Sequence, residues 1–405
     1  MARPLTETND APIAVFTREV ARDPYPTYQW LRDRHPIYLE PQLKTYLVSR
    51  WDDVVAVLTD WKTFTSTHGV TPEQDQYEKP ETLPPEEESS RRFPMLTDDP
   101  PRHNRLRKLV NQAFTLRRIE GLKSWMRELL EELLAPIADG ESFDAVDRLA
   151  GPLPMTVIGQ MLGVPREDRD RFRQWAEAFF VDSGDPQDAK AAAMGMAQRF
   201  IELIAERTVE PRDDLITALV RAKVDGESLD PQTVLVFCFE IITGGNETTT
   251  HLVSNMLDIL ADRPELWQRL RADRSLVEPM IEEALRFESP SQVMWRAATR
   301  DVEMHGVVIP KDAKVGVIFA SANRDPRHFT DADEFRIDRA EGEHVAFGYG
   351  VHYCLGAPLS RTEAGVALNV LLDRYARIER GDGAPERVRS SILRGFRSLP
   401  LRLYT

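Results

Sequence analysis

The stretch Phe347-Gly-Tyr-Gly-Val-His-Tyr-Cys-Leu-Gly356 carries three glycines and a cysteine between an extended region and a helical pattern over Ala357–Leu372. Glycine gives up more backbone freedom on folding than any other residue, so several in ten positions mark tight turns or close approach to a bound group. Glycines so placed leave the Cys354 sulfur and its neighbouring amides free to face a ligand, and amide hydrogen bonds to a metal-bound sulfur tune its potential. A buried, inert thiol in a glycine-rich turn is the bland alternative, and for an isolated cysteine it is the better reading. The only other cysteine in the chain is Cys238, so neither a disulfide framework nor a four-thiolate metal site can be built. Any sulfur chemistry uses one thiolate.

Working outward, helical periodicity dominates the 405 residues. Apolar residues recur at three- and four-residue spacing over Pro26–Arg34, Trp51–Thr59, Arg102–Ala113, Ile119–Ile137 and Ala192–Arg207. Asp230-Pro231 offers an N-cap followed by a first-turn proline, and Arg263-Pro264 offers a stop. Between them the sequence predicts one helix to about Asp262, roughly 48 Å long at 1.5 Å per residue. Strand-like stretches are short: Ile37–Leu39, Thr45–Val48, Val307–Ile309 and Lys314–Ala320. Two lie early and two late, so a sheet must pair distant parts of one chain. This favours a single mainly α domain over 1–405, with a small β region built from about 35–50 and 290–320. Glu73–Arg92, rich in Pro, Glu and Ser, reads as a solvated loop.

Lys and Arg number 52 against 66 Asp and Glu, a formal charge of −14. That argues against general nucleic-acid binding, which draws its affinity from positive charge. No apolar run approaches the ~18 residues a membrane span needs, and the N-terminus has no signal-peptide core. The expectation is a soluble, cytoplasmic protein.

Further motifs stand at helical spacings. Glu283 and Arg286 lie three apart, on one helix face. Thr243-Gly-Gly-Asn-Glu-Thr-Thr-Thr250 puts two glycines inside the long helix, each costing about 1 kcal/mol relative to alanine there. Close approach of a bulky ligand is one compensation. Glu247 and Thr248 are neighbours pointing about 100° apart; alone they read as a solvated charge and a hydroxyl bonded back to the Gly244 carbonyl. His103 and Arg107, four apart, can grip one carboxylate. Arg102–Arg118 holds six basic residues and no acid.

The pattern Phe-Gly-x-Gly-x-His-x-Cys-x-Gly resembles the haem-binding signature of the cytochrome P450 family, and the other motifs appear in that family's order from about Asp23 to Leu401. The resemblance implies the P450 fold, a long central helix crossing the haem, and haem b (iron protoporphyrin IX) as cofactor. It implies Cys354 as axial thiolate on the iron, Phe347 packed near the sulfur and Gly356 among the haem-binding residues. His103, Arg107, Arg296 and His352 would bind haem propionates. Glu283, Arg286 and Arg339 would form a structural triad. Thr248 would hold water beside dioxygen, and Glu247 would relay protons.

The implied activity is monooxygenation: one oxygen atom of O2 enters a small, apolar organic substrate. Electrons would come from a separate ferredoxin or flavodoxin with its NAD(P)H reductase, docking on the Arg102–Arg118 patch. By the same analogy Ile241, Gly244, Val293, Met294 and Phe179 would line the substrate pocket. The resemblance further suggests a monomer, with no nucleic-acid or membrane partner. A peroxide-driven peroxygenase and a non-catalytic haem sensor are the rival functions; the first is disfavoured by the retained Glu247-Thr248 pair, the second by the lack of an output module.

Overall fold

The computed structural model describes residues 13–68, 94–111, 114–180, 186–224 and 226–405. The stretch Glu73–Arg92 lies outside them. In chain order, the elements that build the site are β1 (Ile37–Glu40), β2 (Thr45–Val48), α1 (Trp51–Thr59) and β3 (Phe64–Thr65). The short helix α2 (Pro94–Thr97) and α3 (Arg102–Asn111) follow, then β4 (Ser142–Asp144) and α4 (Pro152–Leu162). The long helix α5 (Pro231–Ala261) leads to α6 (Val277–Phe287), β5 (Val293–Ala298) and β6 (Lys314–Ile318). Last come α7 (Ala357–Arg374), β7 (Arg377–Arg380) and β8 (Pro400–Tyr404).

Helix α5 starts and stops where its sequence signals place it. Asp230 accepts from the Thr233 amide at 2.8 Å, Pro231 opens the helix, and Asp262 closes it before Arg263-Pro264. Most of its length is buried, from Thr233 to Leu260. Its apolar side chains join those of α4 and α7 in the main core, around Phe237, Ile242, Leu252, Val253 and Met256.

The sheet confirms the pairing of early with late chain. Its order is β1-β2-β6-β5-β3. Strand β6 runs parallel to β2 with Val315 opposite Tyr46, and antiparallel to β5 with Val315 opposite Arg296. Alternation along the strands feeds two separate cores. Val48, Val315 and Val317 pack on one face, and Leu47, Trp295 and Ile318 on the other. Three details differ from expectation. Strand β6 ends at Ile318, where a four-residue helix begins at Phe319. Val307–Ile309 pairs only with Val302–Met304, in a hairpin of its own. A second sheet, β7-β8-β4, joins the C-terminus to Ser142–Asp144; residues 142–144 are all half-buried and show no alternation that periodicity could detect.

Candidate active site

The cysteine loop sits between β6 and α7. Gly348 and Gly350 adopt φ of +72° and +70°, a region costly for residues with a Cβ. At Gly350 a methyl would also stand 2.7 Å from the Leu58 carbonyl oxygen. The turn closes with the Cys354 amide donating to the Phe347 carbonyl at 2.9 Å. Helix α7 then begins at Ala357, so the sulfur lies against the helix's first free amides. The Gly356 and Ala357 N–H groups hydrogen-bond it, and the Arg107 and Arg361 guanidinium groups lie near. Burial is the largest influence and pushes the Cys354 thiol up; the amides and the two arginines oppose it by favouring the thiolate. The Phe347 ring is covered by the Arg361 guanidinium, 4.6 Å from its centroid, which in turn pairs with Glu282.

Beside this loop the fold gathers the four basic groups named from the sequence. The His103 and His352 rings are 4.2 Å apart. His352 makes polar contacts on both sides, Nδ1 to the Met95 carbonyl at 3.2 Å and Nε2 to the Ser66 hydroxyl at 3.1 Å. His103 is fully buried and its Nε2 has no hydrogen-bond partner. Arg107 donates to the Val351 carbonyl at 3.2 Å and to the Tyr353 carbonyl, fastening α3 to the cysteine loop. Arg296, also buried, donates to its neighbour's carbonyl at 2.7 Å.

Burial lowers Arg296 to about 10, with Asp99 opposing the shift. Burial first, then repulsion from Arg296 and His103, lowers His352 to about 3. Burial also lowers His103. Burial thus disfavours the charged form of all three groups, and an anion placed among them would offset that cost. The two carboxylates of a haem match that need, and the glycine at 356, 3.9 Å from the sulfur measured to a would-be Cβ, leaves its flank uncluttered. The residues present fit the group.

On α5 the two adjacent glycines separate into different roles. A methyl at Gly245 would meet Ile158 of α4 at 3.2 Å, so this glycine serves helix packing. A methyl at Gly244 would meet nothing within 4 Å, and that residue is exposed. The Thr248 hydroxyl donates back to the Gly244 carbonyl at 2.9 Å. Glu247 is not a solvated charge: it is buried, accepts from the Asn246 amide at 2.9 Å, and lies 3.8 Å from His251 Nε2. Ile241 packs in the main core. Val293 lies in the core on one face of β5 and Met294 against the core on the other. Phe179 falls on a helix at Arg169–Phe180, and its side chain is outside the described residues.

The structural triad forms. Arg286 grips both oxygens of Glu283 at 2.7 Å, and Arg339 reaches the same carboxylate at 3.3 Å. Sequence reading missed Ser66, Met95, His251 and Arg361, which enter through contacts between segments far apart in the chain. A single unpatterned residue gives no signal of that kind.

The family model described as "Cytochrome P450" matches residues 182–395. Cytochrome P450 109 of Bacillus spizizenii is 35% identical over 391 residues, covering 94% of this chain and 92% of its own length. The putative cytochrome P450 123 of Mycobacterium tuberculosis is 38% identical over 384 residues, covering 94% of each. The solved structure of CYP109Q5 from Chondromyces apiculatus superposes with a TM-score of 0.85 at 36% identity, covering 96% of this chain and 97% of that one. The expected fold class is therefore the observed one. No helix among the described residues is long and apolar enough to cross a membrane. With the cysteine loop set at a helix N-terminus and His103, Arg107, Arg296 and His352 gathered beside it, the likeness to bacterial relatives over 94% of the chain leads to one conclusion: the chain belongs to the cytochrome P450 family, as a haem-dependent monooxygenase.

Proposed function

We propose that this protein, folded as one domain, binds haem b and inserts one atom of O2 into a small organic substrate with an apolar body, using electrons delivered by a separate ferredoxin- or flavodoxin-type protein. The observation that carries this reading is the Cys354 sulfur held by the Gly356 and Ala357 amides beside Arg107. Haem ligated by that sulfur supplies the redox activation of dioxygen.

The chain's own groups do the rest. Phe347, in the sulfur's own loop, packs against the main core with the Arg361 guanidinium over its ring. His103 Nε2, with its partnerless position, and the buried Arg296 guanidinium are suited to hold one propionate, and His352 and Arg107 border the same place. On α5, the Thr248 hydroxyl can exchange its Gly244 carbonyl for a water, offering that water a hydrogen-bond partner. The Glu247 carboxyl, which accepts from the Asn246 side chain one residue from Thr248, can hold or pass a proton. Exposed Arg105 and Lys108 on α3, beside the cysteine loop, offer positive charge to an acidic electron donor.

Related structures hold testosterone in CYP109E1 of Bacillus megaterium and erythromycin B in a mutant of EryK. That range shows how little the shared fold dictates the ligand, so substrate choice rests with this chain's own lining.

The test is a pair of measurements on purified protein. The reduced, CO-bound wild type should show the red-shifted band of thiolate ligation, and Cys354→Ala should lose it. Reductant-driven turnover with little peroxide-driven turnover supports the monooxygenase. The reverse supports a peroxygenase, and no turnover alongside haem-dependent partner binding supports a sensor.

A further inference from the structure

Two neighbouring acids on α6 serve different parts of the molecule. Glu283 holds Arg286 and Arg339 in the triad. Glu282, about 100° round the helix, reaches the cysteine loop instead. Arg361 grips both its oxygens, Nε to Oε1 at 2.6 Å and Nη2 to Oε2 at 2.8 Å. Such a fork fixes the guanidinium plane. His344 Nε2 reaches Oε2 at 3.2 Å. His344 Nδ1 accepts from the Ala346 amide at 3.2 Å, a role open only to a neutral ring, so Nε2 carries the hydrogen and donates it to Glu282. His344 in this arrangement adds no charge.

The guanidinium that Glu282 fixes touches the sulfur's turn on both flanks. It lies 4.6 Å from the Phe347 ring centroid, and its Nη1 donates to the Tyr353 hydroxyl at 3.1 Å. Phe347 supplies the carbonyl that accepts the Cys354 amide, and Tyr353 is the residue before the cysteine. Arg361 and Arg107 both favour the thiolate by their charge. Their company differs. Arg107 donates to the Val351 and Tyr353 carbonyls, whereas Arg361 faces a carboxylate. Burial works to raise Glu282, but Arg361 and His344 outweigh it and hold the acid at about 2, so it stays ionised. Glu282 and Arg361 are each about a third exposed, and such a pair adds little to stability by itself. What Glu282 does is cancel part of the positive potential that Arg361 lays on the sulfur.

We propose that Glu282 is a positioning residue that sets, through Arg361, the reduction potential of the iron ligated by Cys354. The inference deepens the proposed function and rests on that ligation. Accepting the donor's electron adds one negative charge to the iron–thiolate unit. Positive neighbours therefore favour the reduced form, and negative ones oppose it. The balance between Arg361 and Glu282 decides how readily the electron is taken.

The test is equilibrium reduction of haem-loaded protein against mediator dyes at about pH 8, above the ordinary histidine range. Glu282→Gln keeps an oxygen for Arg361 and should favour the ferrous form by about threefold or more, which is about 28 mV at 59 mV per tenfold. That is the order expected of a partly screened charge roughly 10 Å away. Arg361→Gln should shift the equilibrium the other way by a similar factor. The double variant restores the net charge and should return to within about twofold of wild type. A purely structural role cannot give this pattern, because both single variants break the same pair and would loosen the same loop. Shifts of one sign in both single variants, or shifts below about twofold in both, overturn the proposal. If Arg361→Gln loses the thiolate CO band, Arg361→Lys keeps the charge without the fork. Glu282→Gln should still raise the potential in that background, and no rise overturns the proposal. A refuting result with an intact CO band leaves the proposed function standing, whereas absence of that band in the wild type overturns the function itself.

Discussion

Alanine should stabilise at one of the two adjacent glycines of α5 and fail to stabilise at the other. In a helix interior, Gly→Ala gains about 1 kcal/mol, largely by reducing the freedom of the unfolded chain. At Gly244 the new methyl meets no protein atom within 4 Å, so Gly244→Ala should stabilise by up to about 1 kcal/mol. At Gly245 the methyl would lie 3.2 and 3.3 Å from two carbons of Ile158, whose side chain is 1% exposed and has nowhere to withdraw. Overpacking of this kind costs about 1–3 kcal/mol. Set against the same gain, Gly245→Ala should be neutral to about 2 kcal/mol destabilising. Adding Ile158→Val, which deletes one of the two crowded carbons, should recover part of the loss. The assay is urea unfolding of haem-loaded protein followed by tryptophan fluorescence, with the CO band checking that the site is intact. Equal stabilisation by both substitutions would refute the assignment of Gly245 to packing, and destabilisation by Gly244→Ala beyond 1 kcal/mol would refute the open face.

Glu283→Gln should destabilise by about 3 kcal/mol, the low end for breaking a buried pair, because Arg286 keeps the Asn323, Ala332 and Glu334 carbonyls; a loss under about 1 kcal/mol in the same urea assay would show that those carbonyls suffice. His251 should make stability fall with acid. Burial, aided by Arg387, holds it at about 4, while Glu247 at 3.8 Å is the acid facing it. The native state therefore stays neutral while the unfolded state protonates near 6.5, so stability is full above that pH and declines from there towards pH 4, by about 1.4 kcal/mol at pH 5.5. His251→Asn should flatten this part of the stability–pH curve, and an unchanged slope would exclude His251 as its source. Arg105→Glu with Lys108→Glu should slow reduction by an acidic donor and weaken its salt dependence in stopped-flow measurements. Unchanged rates across ionic strength would remove the α3 patch from electron transfer.

Local chemistry determined much of this protein from its sequence. Asp230-Pro231 and Arg263-Pro264 bound the long helix because capping and proline sterics act within a few residues. Glu283 and Arg286 pair because three residues make nearly one turn. The glycines around Cys354 announce their turn because two of them need positive φ. Tertiary structure decided what depends on neighbours remote in the chain. Two glycines identical in sequence became a packing contact and an open face because only one is crossed by Ile158. Glu247, legible as a solvated charge, became buried against Asn246 and His251. Glu240, one turn before those glycines, met the Met95 amide only when α2 was brought against α5, because what burial does to an acid is set by what surrounds it and not by its position in the chain.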